Sequence, residues 1–192
     1  MAKRNRRRKR KKRGCGVVAL LLAAALLCGL FGLRTVMRSL YPLRYDEFVE
    51  TYTEAYGLEK SFVLAVIKCE SGFDPNAVSR VGARGLMQLM PETFRWLQTK
   101  TKETRSDDAL FDPETSVRYG CLLLSILLRQ FPEPHTAVCA YHAGMGNVEN
   151  WLRDPQYSAD GKTLKTVPFP ATQQYVKRVL SAQKIYAWLY KL

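Results

Sequence analysis

The chain has 192 residues and a formal net charge of +13, enough for one ordinary domain and an additional segment. Ten of its thirty basic residues fall between Lys3 and Arg13, and from Arg34 onward twenty basic residues face seventeen acidic ones. The body of the chain is therefore close to neutral, which argues against a nucleic-acid binder, whose cations would sit on the folded domain. Five cysteines without a Cys-x-x-Cys pair exclude the usual spacings of zinc and thioredoxin-like sites.

Residues 1–13 form a basic block, expected to be a cytoplasmic tail. Residues 14–33, from Gly14 to Leu33, form an uncharged apolar run. As a helix, a run of that length covers about 30 Å, the thickness of a bilayer's hydrocarbon core. With the basic block ahead of it, the positive-inside rule places the N-terminus in the cytoplasm and the remaining chain outside the cytoplasmic membrane. A cleaved signal peptide needs a small-x-small site, and the run instead ends in Phe31-Gly32-Leu33-Arg34. Leu27 before Cys28 argues against a lipoprotein signal. The reading is a single uncleaved transmembrane signal anchor, a linker over residues 34–44 and a folded domain over residues 45–192.

The domain reads as all-α. Asp46 is placed to cap a helix that ends at Tyr56 with Gly57 as its stop. A second helix runs from Ser61 to Glu70. Pro91 opens a third, carrying Phe94 and Leu97. Asp112-Pro113-Glu114 is a helix start, with Val117, Cys121, Leu124 and Leu128 on one stripe before Pro132. Thr136 to Ala143 is a short helix ending at Gly144. Pro170 to about Tyr190 is the last, with Tyr175, Val179, Ala182 and Tyr186 on one face. A small hairpin is expected near Lys162 to Val167. Cys69, Cys121 and Cys139 read as small buried apolar residues, with a Cys121–Cys139 bridge as the alternative.

Glu70 stands out. Phe62, Val66 and Glu70 recur at i, i+4 and i+8, so the carboxyl lies in line with an apolar face. It also ends its helix, where the macrodipole disfavours a negative charge. Both effects favour the protonated form and suit a general acid. The same pattern also fits a glutamate at the rim of a core with its head in water. Downstream, Asp74-Pro75 is a turn, and Gly82 and Gly85 fit a tight loop. Gln88 offers donors and acceptors, and Met87, Met90 and Tyr141 offer soft or aromatic surface. Met87 and Leu89 are equally readable as core.

The run from Glu70-Ser71-Gly72-Phe73-Asp74-Pro75 through Gly85-Leu86-Met87-Gln88-Leu89-Met90-Pro91 resembles the first signature of the soluble lytic transglycosylase catalytic domain, a relative of goose-type lysozyme. Ala140-Tyr141-His142-Ala143-Gly144 with Gly146-Asn147-Val148 resembles the second, and Pro168-Phe169-Pro170 leading to Tyr175-Val176 the third. The resemblance spans roughly Tyr45 to Leu192. It implies a lysozyme-like helical fold and cleavage of the bond from N-acetylmuramic acid to N-acetylglucosamine in peptidoglycan glycan strands, leaving 1,6-anhydro ends. It further implies one catalytic residue, Glu70, and a groove with Ser79, Gln88, Met90, Tyr141, His142 and Tyr175 facing substrate. No metal, cofactor or nucleic acid enters that reading. Asp74, Asp107, Asp108 and Asp112 look like turn, loop and cap residues, so no second acid is in view.

Two positions depart from the family's pattern. His142 stands where an asparagine is usual, and Ala171 stands where a glutamate usually contributes to the groove. A lysozyme-type hydrolase using Glu70, and a non-catalytic peptidoglycan-binding scaffold, remain open as alternatives.

Overall fold

A computed structural model describes residue 22, residues 25–29 and residues 31–192. The chain divides into two compact units, Met1–Pro42 and Leu43–Leu192. In the first, residues 25–29 and 31–40 are helical and largely exposed, and the Thr35 hydroxyl donates to the Phe31 carbonyl at 3.0 Å. The basic tail and most of the apolar run lie outside the described residues. Among the described residues, no helix is long and apolar enough to cross a membrane.

The second unit is helical: α1 (Asp46–Tyr56), α2 (Lys60–Glu70), α3 (Pro91–Thr101), a 3-10 turn (Asp107–Phe111), α4 (Pro113–Gln130), α5 (Pro134–Ala143), α6 (Met145–Arg153) and α7 (Pro170–Tyr190). α2 is the central element. Every residue from Ser61 to Ile67 is buried, and the helix packs most extensively against α7. Full burial of side chains such as Leu64 and Ile67 stabilises the fold by about 1.5–3 kcal/mol each before the cost of ordering the chain. α4 packs on α1, α3 and α5, and α5 packs in turn on α6 and α7.

The helix boundaries follow local chemistry. The Asp112 carboxylate accepts from the Thr115 amide and hydroxyl, both at 2.8 Å, as the Asp-Pro-Glu start requires. Glu133 does the same for α5, accepting from the His135 and Thr136 amides, so that helix begins at Pro134, earlier than expected. Gly57 ends α1 in the left-handed region at φ 67°. Asp46, however, caps nothing. Tyr45 occupies the cap position, and Asp46 lies 2.8 Å from the Lys60 ammonium, joining the start of α1 to the start of α2.

Two further readings are corrected. The segment from Lys162 to Val167 is not a hairpin. It is a loop wound around Asp160, whose carboxylate accepts from the Lys162 and Thr163 amides and the Thr163 hydroxyl. Among the described residues, the only bridges of β type are Val78 with Arg84 and Arg84 with Leu89. α6 is a helix for which no element was expected. Cys69, Cys121 and Cys139 are free thiols, the last two buried, so the alternative bridge does not form.

Candidate active site

α2 delivers Glu70 to the edge of the core. The residue is half-buried, and its carboxyl is enclosed enough for desolvation to push its pKa up to about 7, against the opposing pull of a Tyr175 hydrogen bond and the Arg178 charge. Tyr175 comes from α7, is 2% exposed, and donates its hydroxyl to Glu70 Oε1 at 2.5 Å. The α2–α7 contact that dominates the core is thus also the contact that sets the acid. Burial, and then the neighbouring Glu70, drive the Tyr175 phenol well above its ordinary value, so it remains a donor.

The chain after Glu70 folds back on itself. The Ser71 hydroxyl donates to the Leu86 carbonyl at 2.9 Å and accepts from the Phe73 amide at 3.1 Å, so the end of α2 is fastened to the far side of the loop. The Asp74 carboxylate accepts from the Asn76 amide at 2.9 Å, as expected of a turn residue. The Ser79 amide donates to the Ala83 carbonyl at 2.9 Å, and its side-chain oxygen accepts from the Ala83 amide at 3.0 Å. Gly85 has φ 75°, and a methyl group there would lie 1.9 Å from the Leu110 carbonyl oxygen. Only glycine lets the loop approach the 3-10 turn so closely.

Gln88 sits at φ 47°, a left-handed conformation that costs a non-glycine residue energy and recurs at functional sites. Its amide nitrogen donates to the Ala77 and Gly85 carbonyls, both at 3.0 Å. The donor end, expected to serve a ligand, is therefore committed to the loop, and the carbonyl end is the part left to face outward. Met87, expected as possible groove surface, is 0% exposed. It packs against α4 at Gly120, where an added methyl would fall 2.1 Å from its sulfur. Its backbone carbonyl accepts from the Tyr141 hydroxyl at 2.7 Å. Leu89 is core, while Met90 stays exposed at the start of α3.

His142 follows Tyr141 on α5. Its ring lies 4.5 Å from the Tyr175 ring, and Nδ1 is 3.0 Å from the buried Thr172 hydroxyl. Partial burial, with the Arg178 charge, holds the imidazole below its usual pKa, so it is neutral over more of the pH range than an ordinary histidine. Ala171 is exposed in the first turn of α7. The structure thus joins Glu70, His142 and Tyr175 directly, with Tyr141 linked through Met87 to the loop that holds Gln88. Ser79 and Met90 flank that loop.

Sequence reasoning missed Thr172, Arg178 and Ser71. The guanidinium of Arg178 lies 5.9 Å from the Tyr175 ring centroid. Thr172, Tyr175 and Arg178 recur three residues apart, so they share one face of α7, and that spacing was available. Asp107 pairs with Arg95 and Asp108 with Arg84. Among the described residues, no cluster of potential metal ligands is present.

A half-buried carboxyl with a raised pKa, fixed by a phenol beside a glycine-bent loop, defines a helical domain with a single-acid site. The model for the transglycosylase SLT domain matches residues 47–164, and the chain belongs to that family. Thr172, Tyr175 and Arg178 lie beyond the matched residues. The chain is similar to the soluble lytic murein transglycosylase of Salmonella typhimurium, 33% identical over 150 residues, covering 76% of this chain and 23% of that protein. It is also similar to the membrane-bound lytic murein transglycosylase C of Pectobacterium atrosepticum, 32% identical over 168 residues, covering 74% of this chain and 46% of that one. Among solved structures, an inactive glutamate-to-glutamine mutant of lytic transglycosylase Slt from Pseudomonas aeruginosa superposes with TM-score 0.69 and 35% identity, over 77% of this chain and 24% of that chain. A 70 kDa soluble lytic transglycosylase in complex with bulgecin A superposes with TM-score 0.70 and 30% identity, over 79% of this chain and 25% of that chain. The chain spans about a quarter of the length of the soluble relatives and under half of the membrane-bound one.

Proposed function

We propose that the chain is a peptidoglycan lytic transglycosylase in which Glu70 acts alone as acid and then as base. The observation that carries this reading is the Glu70 carboxyl itself, desolvated to a pKa of about 7 and held by Tyr175. The groups that perturb it are Tyr175 and Arg178, with no other carboxylate among them. Two-carboxylate glycosidases need a partner across the scissile bond, and the aspartates that could serve are engaged in turns, caps and ion pairs.

In the proposed reaction, protonated Glu70 gives its proton to the oxygen between N-acetylmuramic acid and N-acetylglucosamine as the bond from C1 to that oxygen breaks. The carbonyl oxygen of the muramic N-acetyl group closes on C1 and takes up the developing positive charge. The Glu70 carboxylate then removes the proton of the sugar's 6-hydroxyl. That oxygen bonds to C1, the N-acetyl carbonyl is released, and Glu70 is protonated again. The product is a 1,6-anhydro ring, and no water is consumed. One group serving both steps needs a pKa near the working pH. Tyr175 holds the carboxylate between the steps, and the exposed Met90 flank and the outward end of Gln88 contact the sugars, with Ser79, Tyr141 and His142 shaping the groove.

The apolar run over residues 14–33 serves in this proposal as a single membrane anchor, with the N-terminus inside and the domain facing the wall. The similarity to a membrane-bound relative is compatible with that placement.

Mass spectrometry of muropeptides released from purified peptidoglycan, run beside Glu70→Gln, tests the reaction. Anhydro-ended products from the parent and none from the variant are expected. Reducing-end products would make the protein a hydrolase, and wall binding without release at any pH would make it a scaffold.

A further inference from the structure

α7 carries one face that the catalytic site does not use. Lys177, Ser181, Lys184, Trp188 and Lys191 recur at intervals of four, three, four and three residues, so they form one stripe along the helix, with Lys191 at its C-cap. All five are exposed. Tyr175 and Lys177 are about 160° apart around the helix axis, so the stripe lies across α7 from the phenol that holds Glu70.

Two properties set this stripe apart. Trp188 is 65% exposed, whereas tryptophan is highly buried on average in folded domains. Ile185, one turn before it, is partly exposed as well. The stripe is also wholly cationic. From Pro170 to Leu192 the sequence has four basic residues and no acidic one. Among the described residues, Lys177, Lys184 and Lys191 form no ion pair, whereas Lys60, Arg84, Arg95, Arg105 and Arg118 are matched with carboxylates. Uncompensated ammonium groups around an exposed indole suit a membrane interface. The lysines reach headgroup phosphates while the indole sits at the boundary with the acyl chains. Protein–protein interfaces are depleted in lysine, so a protein partner fits less well.

The tether brings the lipid within reach. In the anchor proposed above, the apolar run ends at Leu33 and the folded unit begins at Leu43. Residues 34–42 span about 30 Å even when fully extended, and residues 34–40 are helical, which shortens them. Such a tether is no longer than a domain of this size is wide, so the domain stays close to the bilayer.

We propose that the stripe from Lys177 to Lys191 docks on the anionic lipid surface of the membrane that holds the anchor, with Trp188 at the headgroup boundary and the three lysines on phosphates. The inference rests on the anchor proposed above, not on the reaction. Docking fixes which side of the domain faces the wall, since Tyr175 and Glu70 lie across α7 from the lipid.

The test places the 192-residue chain in vesicles of phosphatidylcholine, alone or mixed with phosphatidylglycerol, with bromine on the acyl chains to quench an indole at the bilayer surface. Quenching of tryptophan emission is expected to be greater with phosphatidylglycerol, and this excess should vanish in Trp188→Phe, which removes the reporter. Lys177→Gln, Lys184→Gln and Lys191→Gln should each weaken docking roughly fivefold. Salt at about 1 M, where the Debye length is about 3 Å, should abolish the excess. Ser181→Glu sets a negative charge within the stripe and should also abolish it, with all three lysines intact. Thermal unfolding checks that each variant keeps the parent's fold. A chain that floats with the vesicles but shows no excess overturns the docking and leaves the anchor standing. So does an excess that survives the combined lysine variants or Ser181→Glu. A chain that floats with neither vesicle overturns the anchor and the docking together. If the lysine variants lose binding to purified wall and keep the excess, the stripe belongs to an anionic wall polymer and the docking is overturned.

Discussion

In the proposed reaction Glu70 must carry a proton to act as an acid, so its elevated pKa would fix the alkaline limb of the activity profile. With a value of about 7, kcat/KM is expected to fall as pH rises through neutrality. Tyr175→Phe removes a hydrogen bond that favours the carboxylate, so the Glu70 pKa rises and the limb moves to higher pH, with a lower maximum because the acid is no longer fixed. A pH–rate series on both proteins checks the direction. The same shift has a stability consequence. The folded state holds the Glu70 proton more tightly than the unfolded chain, whose value is near 4.5, so stability is lost as pH rises from about 4.5 to about 7 and is then constant. Glu70→Gln should therefore be more stable than the parent above pH 7, by about 3 kcal/mol, with little gain below pH 4.5. Denaturant unfolding at the two extremes decides it, and equal gains at both would mean that Glu70 is not desolvated. Glu70 was legible because its spacing from Phe62 and Val66 places it in line with a buried face. The inward turn of Met87 was not, because an irregular loop has no period from which to read side-chain direction. The Gln88 donors were lost to view for the same reason, since they end on carbonyls that only the folded loop brings together.

At the scale of elements, the loop from Ser71 to Met90 depends on close approach to α4 and the 3-10 turn. Gly85→Ala puts a methyl group 1.9 Å from the Leu110 carbonyl oxygen at a φ of 75°. It is expected to cost about 2 kcal/mol or more and to displace Gln88, lowering activity along with the melting temperature. Asp112→Ala removes an N-cap far from Glu70 and should cost about 1 kcal/mol without moving the pH profile. Comparing the two variants separates loop geometry from general stability. Most helices were readable because caps, prolines and stop glycines act locally: Asp112-Pro113, Pro91 and Gly57 each mark a boundary by themselves. α6 was not read, although Val148, Trp151 and Leu152 have helical spacing and are buried. Gly144 and Gly146 are poor helix formers, and the packing of α6 on α5 outweighs that propensity. The expected hairpin failed for the reverse reason, because Asp160 gathers the backbone donors that a strand partner would have used.

For the whole molecule, the charge asymmetry predicts location. The 192-residue chain is expected in the membrane fraction, and removal of residues 1–33 should transfer it to the soluble fraction. Recovery of the untruncated chain in the soluble fraction would remove the anchor from the proposal. The all-α class of the domain was legible, whereas the meeting of α2 with α7 was not, because it joins residues more than a hundred positions apart. The free thiols of that domain carry one more consequence. Cys121 and Cys139 are buried in α4 and α5, and burial raises both thiols far above the usual range, Cys139 to about 12. An alkylating reagent can reach them only when the packed helices part, so their modification keeps time on the opening of the molecule. Half-buried Cys69, at the end of α2, is placed to react at a much lower degree of opening, so its modification should run ahead of the other two.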